Sequence, residues 1–109
     1  MAWIVEYTRL ANADLSELDN SQRIQVLKAI RKVSENPLPT TEGGYGKPLG
    51  NQATSNLSGY LKIKLLKLGI RVVYRLTEEK GVMRIIIISV REDEKVYKML
   101  QERIKKEKG

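Results

Sequence analysis

At 109 residues, 41% of them hydrophobic, the chain suits one compact domain over 1–109 with a modest core. It carries 20 Lys and Arg against 13 Asp and Glu, a formal net charge of +7, and so attracts polyanions. Cysteine and histidine are both absent, which excludes disulfides, thiolate sites and Ser–His or Cys–His nucleophiles, and leaves Lys, Arg, Tyr, Asp and Glu for any catalysis.

In chain order, Trp3, Val5 and Tyr7 alternate on one face of a short strand, with Ile4 on the other. Thr8 then caps a helix whose apolar positions are Leu10, Ala11, Leu15 and Leu18. A break at Asp19-Asn20-Ser21 precedes a second helix through Ile24, Leu27, Ile30 and Val33, stopped by Asn36-Pro37. So brief a connection predicts an antiparallel helical hairpin. From about 37 to 58 the composition turns to Gly, Pro, Thr, Ser and Asn, which predicts a long loop with Lys47-Pro48-Leu49 tacking its middle to the body.

The remainder is strand-rich. Tyr60 to Leu65 alternates, Leu68-Gly69 makes a turn, and Ile70 to Leu76 alternates again. A second turn at Thr77 to Gly81 leads into the apolar run Val82 to Val90, the pattern of a central strand covered on both faces. Val96, Met99, Leu100 and Ile104 then recur at helical spacing in Asp93 to Lys106. The expected fold class is α+β: an N-terminal strand, a helical hairpin, an antiparallel three-stranded meander and a C-terminal helix. Together these make a four-stranded sheet with helices on one face. The N-terminus lacks the apolar stretch of a signal peptide and no segment approaches a membrane span, so the expected place is the cytoplasm.

Strand periodicity places the charges. Leu61, Ile63 and Leu65 share one face, and Lys62 and Lys64 share the other. Ile70, Val72, Tyr74 and Leu76 likewise oppose Arg71, Val73 and Arg75. A hairpin of the two strands therefore has one cationic face, and Lys62, Lys64 and Arg71 lie close enough on it to hold a phosphate. Alternating lysines also serve simply to solvate a sheet and to discourage edge pairing. Arg91 ends the long apolar strand, where an arginine either serves a site or snorkels. Tyr97 lies about 100° around the last helix from Val96, beside the apolar stripe. There it is either a core-edge aromatic or a phenol offered to the basic face.

The stretch YLKIKLLKLGIRVVYRL, followed by IIIISVREDEKVY, resembles the RelE family of the RelE/ParE toxin superfamily. The similarity takes in the first strand, the helical hairpin and its closing Asn-Pro, and is weakest between Thr40 and Leu57. The resemblance implies a catalytic set of two strand lysines (Lys62 and Lys64), two arginines (Arg71 and Arg91) and a helix tyrosine (Tyr97). Lys47, Lys67 and Arg75 are the further RNA-binding candidates. The chain departs from the family in running straight from Val90 to Arg91, where relatives often carry a Gly-Lys or Gly-His step, and at Leu66, where some carry another cation.

The implied reaction is attack of an RNA 2′-hydroxyl on the adjacent phosphate, leaving a 2′,3′-cyclic phosphate and a 5′-hydroxyl. It needs a base, an acid and compensation for charge on the phosphorane. The base is Tyr97 or one of the lysine pair. The resemblance further implies action on messenger RNA in the ribosomal A site, with neither metal nor cofactor, and a cognate antitoxin as partner. The free toxin is expected to be a monomer that forms a hetero-oligomer with antitoxin. Two other readings share the fold: a ParE-like inhibitor of DNA gyrase without a nuclease site, and a non-catalytic RNA-binding module.

Overall fold

The computed structural model describes residues 2–52, 55–90 and 93–108, and their side chains except those of 50–52, 55–58, 78, 93, 107 and 108. The elements are β1 (Ile4–Tyr7), α1 (Arg9–Glu17), α2 (Asn20–Val33), β2 (Lys47–Gln52), β3 (Ser55–Leu65), β4 (Ile70–Thr77), β5 (Val82–Ser89) and α3 (Asp93–Lys108). They form a five-stranded mixed sheet in the order β1-β5-β4-β3-β2. β1 runs parallel to β5, and every other neighbouring pair is antiparallel.

Local chemistry accounts for the helix boundaries. The Thr8 hydroxyl accepts from the Ala11 amide at 3.1 Å and opens α1. Asp19 and Gln22 form a capping box at the start of α2, with bonds of 2.8 and 3.3 Å. Arg23 clasps the corner between the helices by donating to the carbonyls of Leu15, Ser16 and Leu18. At the other end of α2 the Ser34 carbonyl accepts from the Trp3 amide at 2.8 Å, tying the start of β1 beside it.

The sheet is covered on both faces, and this corrects the expectation of helices on one. Ala11, Val26, Ile30 and Val33 of α1 and α2 pack with Leu61, Val72, Tyr74, Met83, Ile85 and Ile88. On the other face Val96 and Leu100 of α3 pack with Leu49, Val73, Ile86 and Ile87. An apolar stripe says that a helix buries one side; it does not say on which face of the sheet. β5 serves both cores because its ladder shifts register between Val73 and Tyr74: Val73 opposes Ile87, and Tyr74 opposes Ile85. The extra residue turns Ile86 and Ile87 to the same face and reverses the alternation beyond them.

The strand count is a second correction. Residues 47–52, expected within a loop, pair antiparallel with β3 at the sheet edge. An edge strand needs only one ladder, and there Pro48, which has no amide hydrogen, is tolerated. Leu49 is buried in the second core and anchors it. The segment before it is a tight backbone-bonded turn in which Thr40 N–H donates to Gly46 O at 2.7 Å and Gly46 N–H to Leu38 O at 3.1 Å. Gly46 has no room for a side chain, because a Cβ there would run into the Tyr74 hydroxyl and Leu61. Gly69 closes the β3–β4 turn at φ +65°, which favours glycine.

Tyr74 fastens the segment before β2 to the sheet. Its buried hydroxyl donates to the Pro37 carbonyl at 2.8 Å across 37 residues of sequence. Tyr74→Phe is expected to destabilise the fold by about 1–2 kcal/mol, read as a lower denaturant midpoint at unchanged slope. Burial also pushes the phenol above its ordinary 10.0. The folded state therefore keeps a proton that the unfolded chain releases, and stability falls as pH rises past about 10. Tyr7, raised by burial as well, adds to that fall, and Tyr74→Phe is expected to flatten it without removing it.

Candidate active site and nucleic-acid interface

The second face of the sheet is apolar at its centre and cationic around it. β3 and β4 keep their alternation where they pair, so Tyr60, Lys62 and Lys64 stand opposite Arg75, Val73 and Arg71. The ladder continues from Arg71 to Ser89 and from Arg75 to Arg84 on β5, and from Lys62 to Lys47 on β2. Three pairs of like charges thus lie directly opposite one another: Lys47 with Lys62, Lys64 with Arg71, and Arg75 with Arg84. Directly opposed like charges oppose sheet formation. Arg84 also faces Glu6 of β1 across the ladder, an opposite charge.

α3 completes the face. With Val96 and Leu100 held in the second core, Tyr97 comes down over β3. The Lys62 Nζ donates to the Tyr97 hydroxyl at 2.6 Å, and the ammonium lies 5.1 Å from the centroid of the same ring. Lys62 is only 5% exposed, an unusual state for an ammonium, whose desolvation is costly without such compensation. Lys64 is exposed and Arg71 half-buried in the neighbouring row, about 7 Å along the strands from the row of Lys62. The arrangement sets a phenol and an amine in contact beside a pair of cations. That combination can move a proton and neutralise a phosphate.

No family model and no curated protein sequence matches the chain. Solved structures do. The isolated Escherichia coli RelE toxin shares 27% identity over 94% of this chain and 99% of its own, with a TM-score of 0.67. The intact E. coli RelBE toxin–antitoxin complex matches at 26% identity over 84% of this chain and 99% of its own, with a TM-score of 0.63. The Mycobacterium tuberculosis RelBE2 toxin–antitoxin complex shares the fold at 24% identity, 85% and 95% coverage and a TM-score of 0.68. The chain is therefore similar to the RelE toxins in fold and along nearly its whole length.

Of the positions that the RelE resemblance implies, Lys62 and Tyr97 touch, and Lys64 and Arg71 are direct cross-strand neighbours. Arg91 lies outside the described residues; Ser89, two positions before it, ends the Lys64–Arg71 row. Lys47, expected in a loop, is on β2 opposite Lys62. Arg75 lies at the far end of the face, 6.0 Å from the centroid of the Tyr60 ring. Lys67 stands apart, exposed in the β3–β4 turn beyond the end of the ladder. Sequence reasoning passed over Arg84 and Ser89. Arg84 is the one charge inside the apolar run of β5, and that interruption was the available signal.

Lys47→Gln removes one member of an opposed pair whose other member is buried. It is expected to stabilise the fold by about 0.2–1 kcal/mol at low ionic strength. The gain should shrink in about 0.5–1 M salt, with the denaturation midpoint as the measurement at each ionic strength.

Proposed function

We propose that the chain is a RelE-family toxin, a metal-independent endoribonuclease that cuts messenger RNA in the ribosomal A site and is silenced by a cognate antitoxin. The observation that carries the reading is the 2.6 Å contact between Lys62 and Tyr97 beside the Lys64–Arg71 pair. With one proton fewer, as phenolate and ammonium or as phenol and amine, the Lys62–Tyr97 pair takes the proton from the 2′-hydroxyl as that oxygen attacks the adjacent phosphorus. Lys64 and Arg71 lie against the phosphorane oxygens, and Arg91 is the further cation assigned to them by the resemblance. The proton for the departing 5′-oxygen comes from an ammonium, because a guanidinium hardly releases one. The products are a 2′,3′-cyclic phosphate and a 5′-hydroxyl.

The proposed site lies at the margin of α3 on its face of the sheet, with Lys64 and Arg75 exposed beside it. A face of this kind offers charge and a proton acceptor but does little to hold a flexible strand in line. The ribosome supplies that orientation, which is why dependence on it belongs to the proposal. Lys47 and Arg75, at the margins of the face, and Lys67 in the turn are assigned to the RNA backbone. The antitoxin is proposed by analogy with the RelBE and RelBE2 complexes. Cytoplasmic action fits a ribosomal target, and among the described residues no helix is long and apolar enough to cross a membrane.

Primer extension on messenger RNA held in programmed ribosomes tests the reading. The wild type is expected to cut in the A site. Arg71→Ala and Tyr97→Phe should each cut about 10²- to 10⁴-fold more slowly while still binding antitoxin. Growth arrest with intact messenger RNA, or full activity in both variants, would overturn the proposal. The first of these outcomes with signs of DNA damage would point to gyrase.

A further inference from the structure

β5 extends beyond the strand on its outer side. β1 pairs with it from Val82 to Ile85 and ends at Tyr7. The Thr8 amide donates once more, to the Ile85 carbonyl at 3.1 Å, and the chain turns away into α1. The next edge groups of β5 are met by side chains. Arg103 donates to the Ile86 carbonyl at 2.7 Å, and the Asp14 carboxylate accepts from the Ile88 amide at 3.1 Å. The same two side chains bind each other through two bonds of 2.7 and 3.0 Å. One ion pair thus continues the edge ladder where β1 stops. Asp14 comes from α1 on the first face and Arg103 from α3 on the second, so the pair also ties the two helical layers together around the edge of the sheet.

We infer that Asp14 and Arg103 are positioning residues for the Lys62–Tyr97 contact. Arg103 is six residues beyond Tyr97 on α3, about 9 Å along the helix axis. Val96 and Leu100 press α3 onto the sheet, but apolar burial has no direction and leaves sliding and rotation weakly determined. A bidentate arginine–carboxylate pair, anchored further to two backbone groups, restrains both. The side chains are 13% and 15% exposed, and a pair so nearly buried adds little net stability over an apolar replacement. Its contribution is the placement of α3. The catalytic consequence rests on the nuclease reading; the geometric one does not.

Brief acylation of the intact folded protein, followed by digestion and mass spectrometry of the peptide that carries Lys62, reads the placement without reference to activity. In the wild type Lys62 should label slowly, being almost buried beneath Tyr97. Arg103→Met and Asp14→Asn should each raise Lys62 labelling about tenfold by populating displaced positions of α3, and Arg103→Lys should recover part of the protection. Tyr74→Phe, a destabilised control whose side chain lies on the opposite face of the sheet from α3, should leave it unchanged. On programmed ribosomes Arg103→Met should lower kcat about tenfold or more at unchanged KM. Wild-type protection of Lys62 in both Arg103→Met and Asp14→Asn would overturn the inference. So would equal deprotection in Tyr74→Phe, which would mean general loosening. Raised labelling in a protein whose wild type cuts no messenger RNA would uphold the positioning role and overturn the nuclease reading.

Discussion

The site depends on one face of the sheet serving as both a hydrophobic floor and a cationic surface. Tyr97 reaches Lys62 because α3 lies on that face, and α3 lies there because Leu49, Val73, Ile86 and Ile87 give Val96 and Leu100 somewhere to bury. A face solvated throughout by lysine and arginine would not hold a helix, and one that was apolar throughout would hold no phosphate. The extra residue in β5 reconciles the two demands. It doubles the apolar contribution of the strand at Ile86 and Ile87, then returns Ser89 to the row of Lys64 and Arg71.

The electrostatics of that face work against folding. Opposed like charges raise the energy of the sheet, and an ammonium 5% exposed loses most of its hydration. The opposing terms are the long apolar burial on both sides of β5 and the partner that Lys62 finds in Tyr97. Lys64 stays in water as an ordinary surface lysine does, and Lys62 does not. The near-burial of Lys62 against Tyr97 is therefore the feature that separates the face proposed as a site from a strand that is merely solvated.

Much of this was legible in the residues. The period-two pattern of β3 and β4 assigned Lys62, Lys64 and Arg71 to one face, and Gly69 marked the turn that sets them opposite. Thr8 marked the start of α1. β2 stayed hidden because an edge strand is held by its backbone, and a stretch such as Lys47-Pro48-Leu49-Gly50 has no alternation to reveal it. Pairing of β1 parallel to β5 joins segments nearly 80 residues apart, as Ile4 and Val82 are, and local periodicity carries no record of it. Tyr97 was the instructive case. Its offset of about 100° from Val96 could not choose between a core-edge aromatic, the commoner case, and a site phenol, and only the choice of sheet face for α3 decides what its hydroxyl meets.

That choice leads back to the edge of β5. A helix set on a sheet by apolar side chains alone, here Val96 and Leu100 with Met99 and Ile104 beside them, has a broader energy minimum than the Lys62–Tyr97 bond, which weakens after a displacement of a few tenths of an ångström. Where β1 ends, the fold faces a separate problem, a carbonyl and an amide of β5 with no strand beside them. Using Asp14 and Arg103 to meet those groups answers both, because the residues that complete the ladder come from helices on opposite faces. The geometry of the strand edge is thereby transmitted to α3, and through α3 to the phenol. Precision at a partly covered, histidine-free face follows from hydrogen bonds that the sheet had to make in any case.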